Sequence, residues 1–431
     1  MPCRSAFGEV ELAGHWLPLV NKLMPERMTD EPRTVVGMEL LVLTTEPGQQ
    51  LLGQIASVAE PSVSDIERWR KHHGIEFVTA ALRLAGARRR AAGKFVRSSE
   101  MWLDSTGVEQ STDERVARFK AARFRRLIGS EPVIDLCCGV GIDALALAEA
   151  GRVIAVDRAP ERCRRVHWNL EVYGVGGRGL VVCADAERFG TLEGRWVHID
   201  PDRRAVPGGT GRRARSISDY APGLPFLQKL RSEAVGGAIK LSPASDFEAH
   251  FDDTRLEIEL VSLDGECKEA TVWFGRAASC RRRATMLPVG ATFSDHDGPD
   301  STAALVAAPV DWLYTPDPTL IRAGLLDRFA VKHGLKRAGP GVDWLTGPEL
   351  ESPFLTRYAV QALLPLDFKQ LKRELKARQL VPQTIKVRGL DVAPEELRRR
   401  LGLDAGRSTT LLLYAPPGGR GRAQVVIGER C

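Results

Sequence analysis

Four aspartates recur at regular places through the middle of this 431-residue chain. Asp135 lies in "VIDLCCGVGIDALALAEAG", Asp157 in "RVIAVD", Asp185 in "LVVCAD" and Asp200 in "WVHIDPDRR". Each falls at or just past the end of a short apolar, β-rich run. Carboxylates in such places can accept hydrogen bonds from a ligand's hydroxyl and amino groups, or hold and relay a proton. Gly139 and Gly141 follow the first acid in a turn of small residues, where a missing Cβ lets the backbone approach a ligand closely. Cys137 and Cys138 share that turn, in positions that suit packing better than thiol chemistry.

Acids placed this way need a sheet to align them. From Pro132 to Gly275 the pattern alternates strand and helix, the signature of a doubly wound parallel sheet. Its strands are "VIDLC", "RVIAVD", "LVVCAD", "WVHID", "GAIKLS" and the pair in "LEIELVSLDGECKEATVWFG", split by a hairpin signal at Asp264-Gly265. Ligands of open α/β sheets lie beyond the carboxyl ends of the strands, which is where the four acids fall. Upstream, residues 51–124 show apolar positions at helical spacing, and "STDERVARFKAARF" opens with a capping signal. The expected organisation is an N-terminal extension without sustained periodicity (1–48), a helical domain (49–128), the parallel-sheet domain (129–276), a small α+β, ferredoxin-like domain (277–365) and a final α+β domain (366–431).

Composition narrows the class. With 43% hydrophobic and 27% charged residues, the chain reads as an ordinary globular protein. No apolar run reaches the roughly 18 to 20 residues of a membrane span, and the first thirty residues lack a signal-peptide pattern, so a cytoplasmic protein is expected. The 8 cysteines include no C-x-x-C pair and no His partners at zinc spacing, so no structural metal is expected. Net charge is +6 and unevenly spread. Residues 65–126 carry fifteen Lys/Arg against eight Asp/Glu, and residues 369–400 carry ten against four. Two basic segments around a nucleotide-binding core suit a polyanion such as RNA, with no DNA expected; the alternative for either is a solvated helix face.

The order Asp135, Gly139, Gly141, Asp157, Asp185, Asp200-Pro201 resembles the class I S-adenosylmethionine-dependent methyltransferases over about residues 112 to 275. The resemblance implies a Rossmann-like, seven-stranded sheet with S-adenosylmethionine as cofactor. Asp135 would face the amino group and sulfonium, Gly139 and Gly141 would admit the methionyl and ribose parts, and Cys137 would stand in for the family's first glycine. Asp157 would accept from the ribose hydroxyls. Asp185 would accept from the adenine amino group, with Ala186 packed nearby. Asp200 and Pro201 match the start of the D/N-P-P-aromatic motif of amine-directed enzymes, whose carboxylate and proline carbonyl hold the amine. Asp202 and Arg203 depart from its second half. Asp202, Arg203 and Arg204 are therefore candidate substrate-binding residues, and Arg203, Arg204, Arg212, Arg213 and Arg215 suit a phosphate or carboxylate near the acceptor.

Further stretches, "DYAPGLPFL", "AIKLSPASD", "YTPDPTLIRAGLL" and "IKVRGLDVAPEELRRRLGL", resemble bacterial methyltransferases carrying a C-terminal THUMP-like domain, over roughly residues 50 to 431. That resemblance implies methylation of a nitrogen in structured RNA, tRNA or rRNA. A protein or small acidic metabolite as acceptor, and a non-catalytic RNA-binding protein that keeps the cofactor fold, are the alternatives.

Overall fold

The computed structural model describes residues 34–203, 217–247, 249–251, 254–305, 309, 311–339, 342–415 and 423–431. The chain divides into two compact units, Met1–Asp252 with Trp273–Ala277, and Asp253–Val272 with Ala278–Cys431.

The first unit begins with four helices, α1 (Val35–Thr44), α2 (Glu46–Ala56), α3 (Val63–His73) and α4 (Ile75–Ala91). Side-chain oxygens of Thr34 and Thr45 accept from the N–H groups of Gly37 and Gly48, and Ser62 with Asp65 forms a capping box. Val42, Leu43, Leu51, Ile55, Trp69, Val78 and Leu84 close the helical core. Helical structure thus starts inside the stretch expected to be a loose extension. The physical reason is the burial of Val42 and Leu43, a signal that the breakers of "MPERMTDEPR" obscured. Two further helices, α5 (Ser105–Gln110) and α6 (Glu114–Ile128), lead to the sheet. Asp113 caps α6. The neighbouring Thr112 donates its hydroxyl to Asp143 instead.

The sheet elements follow as β1 (Pro132–Leu136), α7 (Ile142–Ala150), β2 (Arg152–Asp157), α8 (Pro160–Val172), β3 (Gly179–Cys183) and β4 (Trp196–Ile199). A two-residue ribbon pairs β5 (Asp202–Arg203) with β6 (Tyr220–Ala221), and α9 (Leu224–Glu233) leads into β7 (Gly236–Leu241). Strands β3-β2-β1-β4-β7 are parallel throughout. Next come β8 (Leu256–Leu263) and β9 (Glu266–Gly275), joined by Asp264 and Gly265 at φ 54° and 82°, the positive values a two-residue hairpin demands. With β10 (Arg282–Leu287) and β11 (Ala291–Ser294), the sheet order is β11-β10-β8-β9-β7-β4-β1-β2-β3. The seven strands expected are present, followed by β10 and β11. Helix α7 is buried from Ile142 to Ala148, which is why that stretch is apolar apart from Asp143.

In the second unit a seven-stranded sheet is built from β12 (Trp312–Pro316), β13 (Lys336–Arg337), β14 (Leu345–Gly347), β15 (Leu355–Pro365), β16 (Leu380–Arg388), β17 (Arg407–Tyr414) and β18 (Gln424–Arg430). Its order is β13-β14-β12-β15-β18-β17-β16. Strands from the stretches 277–365 and 366–431 therefore bond in one sheet, where the sequence suggested two small domains. Helices α10 (Pro318–Arg322), α11 (Leu326–Lys332), α12 (Phe368–Ala377) and α13 (Pro394–Leu401) complete this unit. Leu371 and Leu375 of α12 pack with Leu397 and Leu401 of α13 in one buried cluster.

Asn169 on α8 ties the first unit together. It is fully buried, accepts from the Trp102 N–H at 2.8 Å and donates to the carbonyls of Trp102 (3.3 Å) and Val140 (3.1 Å). Asn169→Ala leaves these groups buried without partners and should cost about 2 to 4 kcal/mol of stability. Urea denaturation checks this; a loss below about 1 kcal/mol would mean that water takes over the bonds.

Candidate active site

The turn between β1 and α7 is fixed by three positive φ angles: Cys137 at 60°, Gly139 at 59° and Gly141 at 89°. At Gly141 φ favours glycine, and an added Cβ would also crowd the Val166 side chain at 3.0 Å. Cys137 adopts the left-handed conformation at the place where the methyltransferase resemblance puts a glycine. That geometry costs a non-glycine residue roughly 1 to 2 kcal/mol. Asp157, at the end of β2, clasps the turn: its carboxylate accepts from the N–H groups of Gly139 and Ala159, each at 3.0 Å.

A cleft opens at the carboxyl ends of β2 and β3. Cys137, Val156, Asp157, Arg158, Arg162, Ala184, Asp185, Ala186, Glu187, Asp202, Ala221 and Pro222 line it. Five residues singled out in the sequence meet here: Cys137, Asp157, Asp185, Ala186 and Asp202. Asp185 also caps a short helical turn by accepting from the Glu187 N–H at 2.9 Å. Arg162 on α8 was not foreseen. Its guanidinium lies 3.7 Å from both Asp157 and Asp202, and it lines the cleft with them. Asp135, Gly139 and Gly141 do not line this cleft.

Asp135 is fully buried on β1. One carboxylate oxygen lies 2.6 Å from His198 Nδ1, and the other has no hydrogen-bond partner. An orphaned buried acceptor at a strand's carboxyl end fits a cationic group such as the amino group of S-adenosylmethionine. Burial pushes the Asp135 carboxyl above the usual carboxylate range, and His198 pulls it back.

Asp200 follows β4 and donates its own N–H to the Leu136 carbonyl at 3.2 Å. Its carboxylate pairs with Lys240 Nζ of β7 at 2.6 Å. Burial raises the Asp200 pKa and the Lys240 ammonium opposes the rise. Lys240 is the second residue not foreseen. The available signal was a lysine inside the otherwise apolar strand "GAIKL". Pro201 is buried next to Asp200. The Arg203 backbone pairs with that of Tyr220. Arg204, Arg212, Arg213 and Arg215 lie outside the described residues.

The basic segments divide between two jobs. Arg88 donates to the carbonyls of Met101 and Glu100, and burial pulls its guanidinium pKa down to about 10. Lys94 donates to the Val108 carbonyl at 2.6 Å. Arg123 donates to the Ala277 carbonyl and stacks 4.1 Å over the Trp273 ring. These cations hold the first unit's fold, which corrects the expectation that the segment as a whole, Arg88 included, faces a polyanion. On α12, by contrast, Lys369, Arg373 and Lys376 are exposed at helical spacing.

Comparison with known proteins gives a consistent picture. Residues 130–235 match the family described as RNA cap guanine-N2 methyltransferase, residues 355–430 one described as THUMP domain-like, and residues 39–91 a domain of unknown function. An uncharacterized S-adenosylmethionine-dependent methyltransferase of Mycobacterium tuberculosis strain CDC 1551 is 34% identical over 340 residues, covering 76% of this chain and 89% of the relative. Its counterpart in strain H37Rv matches equally. A crystal structure from Porphyromonas gingivalis W83, assigned as a methyltransferase, has the same fold with a TM-score of 0.69 and 18% identity, over 92% of this chain and 97% of its own. Among the described residues no helix is long and apolar enough to cross a membrane.

Burial pushes the Cys137 and Cys138 thiols well above their ordinary range, and nearby carboxylates add to the rise. Both stay protonated at neutral pH, which removes them as nucleophiles. At pH 8, iodoacetamide should alkylate exposed Cys431 at least about tenfold faster than either. Peptide mass spectrometry over a time course reads the rates, and equal labelling would put a thiolate in the turn.

Proposed function

This chain belongs to the S-adenosylmethionine-dependent methyltransferases, and we propose that it methylates a nitrogen in structured RNA, a tRNA or an rRNA. The observation that carries this is Asp200: a carboxylate at the end of β4, paired with Lys240, within the span that matches guanine-N2 methyltransferases. The THUMP-like match at 355–430 and the exposed cations of α12 within it support an RNA partner. In this proposal residues 129–276 form the catalytic domain, residues 366–431 help present the RNA, and the compartment is the cytoplasm, in keeping with the free cysteines of the described chain.

The cofactor supplies a methyl group already activated on a sulfonium, so the protein must chiefly align acceptor and methyl and manage one proton. Asp135 would hold the amino group, Asp157 the ribose hydroxyls and Asp185 the adenine amine, with Cys137 and Ala186 in the cleft wall and Gly139 and Gly141 letting the turn beside it come close to the methionyl part. Because Asp157 also clasps the turn through Gly139 and Ala159, it both builds and lines the site. Asp200 would accept a hydrogen bond from the acceptor amine, aim its lone pair and take the proton released. The Pro201 carbonyl would face the same amine. Lys240 opposes the rise that burial imposes on the Asp200 pKa and so favours its ionised form. Asp202, Arg203 and Arg204 would contact the substrate backbone beside the acceptor.

Nucleoside mass spectrometry of tRNA and rRNA from a deletion strain and its parent tests the substrate. One methylated nucleoside should be missing; an unchanged set would shift the acceptor to a protein or small acidic metabolite.

Asp200→Asn should lower the single-turnover rate by roughly 10² to 10⁴, with cofactor affinity nearly unchanged. Lys240→Met removes the cation that pulls the Asp200 pKa down, so the acid limb of the pH–rate profile should move to higher pH. An unmoved limb would detach Lys240 from the chemistry.

A further inference from the structure

Behind the turn lies a polar cluster buried inside the sheet and its covering helices. His198 of β4 and Asp135 of β1 are register partners, and Nδ1 of His198 lies 2.6 Å from the Asp135 carboxylate. On the ring's other side, Nε2 lies 3.4 Å from Lys120 Nζ of α6 and 4.0 Å from the Asp143 carboxylate of α7. Lys120 and Asp143 are paired at 2.9 Å, and Thr112 donates to Asp143 at 2.6 Å. The side chains of Lys120 and His198 are only 2% and 1% exposed. From β7, Lys240 adds a more distant positive charge, balanced by its partner Asp200.

With Asp135 ionised, the hydrogen bonds fit a neutral ring: the carboxylate accepts, so Nδ1 carries the proton, and Lys120 has only donors, so Nε2 offers its lone pair. The imidazole is then neutral and Asp143 balances Lys120. The Asp135 charge is left over, with one oxygen unpartnered. That surplus of one negative charge matches the ammonium of a methionyl group. A second proton on His198 would set two positive groups, imidazolium and ammonium, against each other at 3.4 Å and cancel the surplus.

We infer that His198 is a positioning residue for the cofactor: it aims the Asp135 carboxylate, and its protonation competes with binding of the cofactor's ammonium group. This rests on the assignment of Asp135 to that ammonium. Burial lowers the imidazole pKa, but Asp143 and Asp135 outweigh burial and the opposing Lys120, holding it above its ordinary value of 6.5. A cationic ligand that displaces this proton binds more tightly as pH rises. The dependence approaches tenfold per unit while the ring is mostly protonated.

The test is calorimetric titration of the full-length protein with S-adenosylmethionine from pH 5.5 to 7.5, where the ligand's own amino group stays mostly protonated (α-amino groups titrate near about 8). Two buffers of different ionisation enthalpy count the proton released. Wild type should gain at least about fivefold in affinity across this range and release protons at its acid end. His198→Asn keeps a donor near the Nδ1 position but cannot titrate; it should bind within about twofold of wild type at pH 7.5 and show no pH slope. His198→Leu, checked by thermal melting, should lose about tenfold or more, because Asp135 is left without its donor. A flat wild-type profile, or a wild-type slope retained in His198→Asn, would overturn the role of His198. Asp135→Asn separates the two ideas. If it binds as wild type does, the Asp135 assignment itself fails; if it loses affinity while the His198 variants do not, only the present inference fails.

Discussion

The unit that carries the cleft is governed by one constraint: carboxylates must be buried at the strand ends and on the helix that covers them. Asp135, Asp143 and Asp157 are 0%, 8% and 3% exposed. An isolated buried carboxylate would neutralise itself rather than pay the desolvation penalty, so each charge needs a partner. The partners come from different elements. His198 answers Asp135, Lys120 and Thr112 answer Asp143, and the N–H groups of Gly139 and Ala159 answer Asp157. Much of the surrounding architecture follows, because α6 must bring Lys120 inward and the turn must point a backbone N–H at Asp157.

The same logic explains what could be read from the sequence. Strand-end acids, a small-residue turn and a two-residue hairpin are local patterns, and strands, hairpin and cleft appear where those patterns put them. Five of the named site residues converge on one cleft. What stayed hidden were partners that arrive through tertiary structure. Lys120 reads as one more cation on an amphipathic helix, and His198 as one more residue of a short strand. Nothing local distinguishes Arg162 from its arginine neighbours on α8. Only Lys240 carried a trace, a charge within an apolar strand, because such a residue must have a reason to be buried.

Charge counting misleads for a related reason. The stretch 65–126 is rich in cations, yet Arg88, Lys94, Lys120 and Arg123 turn inward to carbonyls, a carboxylate or an aromatic face. Long cationic side chains carry enough donors to tie irregular backbone together, and a segment such as 95–104, with little regular structure, uses them that way. On α12 the cations at 369, 373 and 376 stay in solvent while Leu371 and Leu375 fill the core, so charge and burial separate cleanly on one helix.

Asn169 joins parts of the chain that are far apart in sequence, Trp102 and the turn at Val140. Trp102 in turn donates its indole N–H to Glu39 on α1, which also pairs with Arg165 of α8. The glycine turn is thereby wired to the first helix. Native-state fluctuations that open such a structure do so in contiguous cooperative blocks. The turn should not open as a free loop: its amides share an opening free energy with the Trp102 segment and the start of the helical region. Any ligand that stills the turn then quiets the far helix as well, a transmission of rigidity through hydrogen bonds that needs no change of shape.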